Sequence, residues 1–140
     1  SKIFIACAAV SDYRIEQQAD HKIKKSTQAM TLALVPNEDI LAAVSALDKR
    51  PFCVGFAAET RDLEKYALAK LERKHLDMIA ANLVADGTGG FESDVNQLEV
   101  FWPEGVHSIA QASKQEVAKQ LIELIGERYT GALSDSPGTA

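Results

Sequence analysis

Lysines at two places in the chain, together with one aspartate, are the residues best suited to chemistry. Lys70 and Lys74 lie one helical turn apart in a segment of helical periodicity. At about 100° per residue they share a side with Leu63 and Ala67. Lysines on that stripe are unexpected, because an apolar stripe faces a sheet. Two readings fit: the ammonium groups snorkel to water and complement a helix C-terminus, or they face an anionic ligand. Arg73 projects elsewhere and reads as a solvated charge. The second basic group, Lys22-Ile23-Lys24-Lys25, closes a polar loop. Ahead of it, Asp12 follows the apolar run from Ile3 to Val10. A carboxylate placed there can hold a ribose hydroxyl, a magnesium ion or the backbone of its own turn, the last being the commonest job. Phe56, after Gly55 near the end of another apolar run, can stack on a base or fill the core, and a lone phenylalanine more often does the latter. Cations and a carboxylate near strand ends suit an anionic ligand, since open α/β sheets bind ligands at the carboxyl ends of their strands. The competing reading of the basic loop is a solvated surface.

Other chemistries are disfavoured. His21, His75 and His107 share no metal-ligand spacing with Cys7 or Cys53, which argues against zinc. No serine sits in a nucleophile elbow, and no carboxylate pair reads as an acid–base couple. Gly87-Thr88-Gly89-Gly90 lacks the Gly-Lys-Ser/Thr ending of a phosphate loop and reads as a surface loop. No G-x-G-x-x-G follows a strand, which weakens a dinucleotide oxidoreductase reading. The net charge of −5 over 140 residues argues against a general nucleic-acid binder, so any basic site is local. Hydrophobic residues at 46% and charged residues at 25% describe one ordinary globular domain. Both cysteines lie in apolar runs and are expected as buried free thiols. No apolar run is long enough to span a membrane and no secretory signal is seen, so a cytoplasmic location is expected.

The positioning elements follow from periodicity. Ile3 to Val10 reads as a buried strand that breaks at Ser11-Asp12-Tyr13-Arg14. Thr31 to Val35 reads as a short strand ended by Pro36. Asn37 is a fitting N-cap for a helix with Glu38 and Asp39 in its first turn and a stripe of Ile40, Leu41, Val44 and Leu47. Phe52 to Ala58 is continuously apolar, as in a parallel strand covered on both faces. Thr60 or Asp62 can cap a helix over Leu63–Lys74, and Leu76 to Ala81 is the next strand. The alternation implies right-handed crossovers and a parallel sheet. Asn82 to Asn96 reads as a loop. Leu98–Trp102 and Val106–Ile109, joined at Pro103-Glu104-Gly105, form a hairpin at the sheet edge. Ser113 and Glu116 make a capping box for a last helix with Val117, Leu121, Leu124, Ile125 and Arg128 on one face. The expected fold is a three-layer, Rossmann-like α/β domain over residues 1–130. It has a mostly parallel sheet, helices on both faces and an antiparallel edge hairpin, and residues 131–140 are a disordered tail.

Five motifs occur in order: Ala8-Ala9-Val10-Ser11-Asp12-Tyr13, Lys22-Ile23-Lys24-Lys25, Pro36-Asn37-Glu38-Asp39-Ile40, Val54-Gly55-Phe56-Ala57-Ala58-Glu59-Thr60 and Asp77-Met78-Ile79-Ala80-Ala81-Asn82. In order and spacing they resemble phosphopantothenate–cysteine ligase, the synthetase domain of the bacterial bifunctional coenzyme A biosynthesis flavoprotein. The resemblance extends from about Lys2 to Tyr129. It implies ligation of 4′-phosphopantothenate with cysteine at the expense of CTP and magnesium, through an acyl-cytidylate. It further implies nucleotide contacts at Asp12, Lys22, Glu38, Asp39, Ile40, Leu41, Phe56, Lys70 and Lys74. Asp12 is the candidate magnesium ligand, and Lys22 is the catalytic lysine of a flap. Under this resemblance Lys70 and Lys74 face the ligand.

Glu38 departs from the proline found in many members of that family. The family's earlier strand and glycine-rich phosphate turn are not among these residues, and the chain opens abruptly inside a strand. Both points suggest the carboxyl-terminal part of a larger synthetase domain, a part that can be inactive alone. The decarboxylase domain belongs to the parent chain, so bound FMN is not expected. A homodimer is the family expectation, with the edge hairpin or the Leu32–Val35 strand able to pair across a two-fold axis. The alternative is a non-catalytic α/β nucleotide-binding or dimerisation module.

Overall fold

The computed structural model describes residues 1–84 and 95–135. Its main sheet has five strands in the order β1-β4-β5-β6-β7. These are β1 (Ile3–Ile5), β4 (Phe52–Glu59), β5 (Met78–Leu83), β6 (Val95–Trp102) and β7 (Gly105–Ser113). β1, β4 and β5 run parallel, and β6 and β7 add an antiparallel hairpin at the edge. Helices α1 (Ile40–Ser45) and α2 (Leu63–Arg73) cover one face, and α3 (Lys114–Asp135) covers the other. The expected three-layer α/β architecture is therefore the observed one. A separate two-stranded antiparallel sheet joins β2 (Tyr13–Ile15) to β3 (Leu34–Pro36).

Strand alternation explains the two cores. Along β4, Cys53 and Ala57 face α1 and α2, where they meet Leu41, Ala67 and Leu71. Val54 faces α3 and packs with Val117, Leu121 and Ile125. The parallel strands are buried on both faces, so they read as continuous rather than alternating apolar runs. Gly55 allows the close approach of α1: a Cβ there would stand 2.7 Å from Leu76 Cδ1 and 3.1 Å from Leu41 Cδ2. At the amino ends of the strands, Asp77 accepts a bidentate pair from Arg50, both bonds 2.8 Å, and a third bond from the Cys53 amide at 2.7 Å.

Several local expectations are corrected. The first strand stops at Ile5 and is only half-buried, because among the described residues β4 is its sole neighbour in the sheet. Cys7 lies past its end and is exposed, while Cys53 is buried as expected. The break expected at Ser11–Arg14 runs into a strand at Tyr13–Ile15, and the strand expected at Thr31–Val35 forms at Leu34–Pro36. Pro36 is tolerated in β3 because its one partner, β2, leaves the other edge open. β3 stays out of the main sheet, and β1 takes the place beside β4. Asp39, not Asn37, caps α1, which ends at Ser45 and leaves Ile40 and Leu47 exposed. Asp62 is the N-cap of α2, with φ of 50° and no side-chain cap bond. At α3 one half of the expected capping box is seen, Ser113 Oγ accepting from the Glu116 amide at 3.2 Å, while Glu116 Oε1 accepts from Gln120 Nε2 at 2.9 Å. The helix continues to Asp135, so residues 131–135 are helical where a disordered tail was expected. The loop glycines at 87, 89 and 90 and residues 136–140 fall outside the described residues.

Candidate functional site

A cavity of about 420 Å³ opens at the carboxyl ends of β1 and β4. Three segments form its walls. The chain leaving β1 brings Ala6, Cys7, Ala8, Ser11 and Asp12; the start of α1 brings Asn37 through Leu41; and β4 and the end of α2 bring Phe56, Lys70 and Lys74. Of the predicted site residues, Asp12, Glu38, Asp39, Ile40, Leu41, Phe56, Lys70 and Lys74 are thus brought together. Lys22 is not. It is exposed in a segment with neither helix nor strand and contributes nothing to the cavity wall.

Lys70 in α2 and Lys74 at its C-cap turn inward because their carbon stems follow the apolar side of the helix. Lys70 Nζ donates to the Phe56 carbonyl oxygen at 2.6 Å. Burial pulls its pKa below that of an ordinary lysine, and the neighbouring charge of Lys74 acts in the same direction. Asp39 and Glu59 oppose that shift. One turn on, Lys74 Nζ meets Asp39 Oδ2 at 2.6 Å, and the lysine side chain is 16% exposed. The other Asp39 oxygen, Oδ1, accepts from the Ala42 amide at 3.0 Å and caps α1. The hydrogen bond from Lys74 holds the Asp39 carboxyl below its usual range; partial burial opposes the shift and the Ala42 amide assists it.

Phe56 fills the α3-side core, one of its two anticipated roles, and its exposed part is turned to the cavity. Asp12 is exposed on the rim, its carbonyl accepting from the Asn37 amide at 2.8 Å. Asn37 Nδ2 also donates to the Ser11 carbonyl at 2.8 Å, and Arg14 Nη1 donates to the Pro36 carbonyl at 2.8 Å. These bonds tie the base of the β2–β3 hairpin to the rim and set where Asp12 stands. Sequence reasoning missed Asn37 and Arg14 as rim-builders, because their partners are backbone groups distant in sequence. It also passed over Ala6 to Ala8, whose small side chains at a strand end were the available signal.

No group of three or more metal-ligating side chains occurs among the described residues. Three carboxylates line the cavity, Asp12, Glu38 and Asp39. Asp39 is engaged by Lys74, so Asp12 is the rim carboxylate whose chemistry would suit a magnesium ion, which takes one or two carboxylates together with phosphates. Among the described residues no helix is long and apolar enough to cross a membrane.

Comparisons with known proteins find relatives over most of the chain. Residues 1–129 match the family described as DNA/pantothenate metabolism flavoprotein C-terminal domain. The chain is 52% identical over 130 residues to the coenzyme A biosynthesis bifunctional protein CoaBC of Vibrio cholerae, covering 91% of this chain and 33% of that protein. It is 48% identical over 131 residues to its counterpart in Escherichia coli, covering 91% of this chain and 32% of that one. The chain therefore spans about a third of the length of these curated relatives. The crystal structure of the C-terminal domain of a CoaBC protein superposes with a TM-score of 0.68 at 27% identity, covering 96% of this chain and 56% of that one. The DNA/pantothenate metabolism flavoprotein from Streptococcus pneumoniae shares the fold, with a TM-score of 0.69 at 20% identity.

Proposed function

The chain belongs to the DNA/pantothenate metabolism flavoprotein C-terminal domain family, and from that membership and the cavity we propose that it supplies the nucleotide site of a coenzyme A biosynthesis ligase. The reaction is CTP-dependent joining of 4′-phosphopantothenate to cysteine. The phosphopantothenate carboxylate attacks the α-phosphorus of CTP, an oxygen–phosphorus bond forms, and pyrophosphate leaves. The cysteine amine then attacks the acyl carbon, an amide forms, CMP departs, and the amine loses its proton. The observation that carries this reading is the pair of inward lysines, Lys70 and Lys74, lining one cavity with Asp12 at the parallel strand ends.

Such chemistry rests on positioning and charge neutralisation. Lys70 and Lys74 are placed to meet phosphate oxygens, and Phe56 to face the nucleoside. Asp12 would offer one carboxylate to a magnesium ion accompanying CTP, which would neutralise phosphate charge. Lys22, carried on the exposed segment between β2 and β3, supplies further positive charge as that segment meets the bound nucleotide. The decarboxylase domain of the parent chain and a cytoplasmic setting belong to the same proposal.

A second element of the proposal is a homodimer. The β2–β3 hairpin stands apart from the main sheet with Tyr13, Ile15 and Leu34 about half-exposed, at 59%, 48% and 57%. An isolated two-stranded ribbon is marginal in water, which favours burial against a second copy. A chain that used this ribbon without any nucleotide chemistry would be a dimerisation module.

Calorimetry with CTP and magnesium on the full-length protein separates the readings. Binding by the wild type, weakened about tenfold or more by Lys70→Gln, is expected from the loss of a charge-assisted contact. Absence of binding by the wild type would leave only the dimerisation module.

A further inference from the structure

The Asp39–Lys74 contact is not explained by a phosphate site alone, since a carboxylate beside a polyphosphate repels it. Its geometry gives it a purpose. Asp39 is not free to swing, because Oδ1 is held by the Ala42 amide at 3.0 Å while Oδ2 meets Lys74 at 2.6 Å. The carboxylate is thus a fixed post, and a fixed post is unsuited to acting as a latch that phosphate displaces. Lys74, by contrast, is a long side chain carrying about 2 kcal/mol of rotamer entropy. Lys70 lies one turn away with the same charge and is itself anchored on the Phe56 carbonyl. Without Asp39, mutual repulsion would turn Lys74 out to solvent. An ammonium has three donors, so the bond to Asp39 leaves two for phosphate oxygens.

We propose that Asp39 is a positioning residue: its capped carboxylate holds the Lys74 ammonium inward beside Lys70, presetting a two-cation cradle for a nucleoside triphosphate. The inference rests on the nucleotide reading of the cavity. Orienting the lysine before the ligand arrives removes an ordering penalty from binding. The energetic contest is between that gain and the repulsion of one carboxylate. The repulsion is blunted because the Asp39 side chain is 47% exposed and its charge is paired.

Asp39→Asn is the discriminating variant, because asparagine also caps a helix and so removes the charge while keeping α1. In the full-length protein, CTP with magnesium is expected to bind Asp39→Asn about five- to tenfold more weakly. In a Lys74→Gln background the same change is expected to have no further effect, since the two residues act as one unit. Nitrogen-15 NMR without nucleotide gives a readout that a purely structural role would not move: the Lys74 ammonium signal is slowly exchanging in the wild type and lost in Asp39→Asn. Equal or tighter CTP binding by Asp39→Asn, additive losses in the double variant, or an unchanged Lys74 signal would each overturn the proposal while leaving the nucleotide reading intact. No CTP binding by the wild type would overturn both.

Discussion

At the scale of single residues, the cavity depends on a few charges held by short bonds. Asp39 and Lys74 make the plainest pH prediction. The folded-state pKa of Asp39 is lowered by the hydrogen bond from Lys74, so the ionised carboxylate favours the fold. That contribution is complete above the unfolded carboxylate pKa of about 3.9 and is lost as pH falls through the lower folded value. The stability difference between wild type and Asp39→Asn is therefore expected to be constant near neutrality and to shrink only below about pH 4. Chemical denaturation of both proteins across that range checks it. Lys22 makes a different prediction. It is exposed and outside the cavity wall, so Lys22→Gln should leave the unfolding midpoint within about 0.5 kcal/mol of wild type. If the segment brings it to the nucleotide, turnover by the full-length protein should fall by about a hundredfold or more. Ordinary turnover would remove Lys22 from the mechanism.

At the scale of elements, the decisive contact is α1 on β4. Gly55 is buried beneath Leu41, and an added methyl would press on Leu76 and Leu41 at 2.7 and 3.1 Å. Both leucines are themselves packed, at 4% and 7% exposure. Gly55→Ala is expected to destabilise by about 1–3 kcal/mol. Because the displaced helix begins at the cavity wall, CTP affinity should fall as well, and calorimetry on the folded variant separates the two effects. The short helix α1 was legible from its stripe at Leu41 and Val44. Its start was not, because Asn37 and Asp39 are comparable caps and tertiary contacts decide between them. Asn37 is engaged with Ser11 and Arg14, leaving Asp39 to cap.

At the scale of the whole molecule, two features are testable. Asp77 fastens the amino ends of the sheet through Arg50 and the Cys53 amide. Asp77→Ala would strand a buried amide and break a bidentate pair, a loss of about 2–4 kcal/mol. The denaturation midpoint reads it, with nucleotide affinity of the folded fraction unchanged, because the site lies at the opposite ends of the strands. The β2–β3 ribbon concerns assembly. If it is the dimer contact, Leu34→Asp in the full-length protein should sediment as a monomer while the wild type sediments as a dimer. Two monomers or two dimers would set the ribbon aside.

The sequence alone determined the parallel strands β4 and β5, the α2 stripe and the Ser113 cap of α3. Continuous burial, 3.6-residue periodicity and local hydrogen bonds are all written in neighbouring residues. It also singled out Lys70 and Lys74, as charges on a stripe that should have been apolar. Tertiary structure decided what lay in non-local partners. It paired Tyr13–Ile15 with Leu34–Pro36 across a long exposed segment, left Cys7 in the open at the end of an edge strand and carried α3 on to Asp135. It also brought Asp39 from one helix start to Lys74 at the end of another. Periodicity reports which face a residue occupies within its own element. Which charge it meets across the cavity is set by how the elements dock.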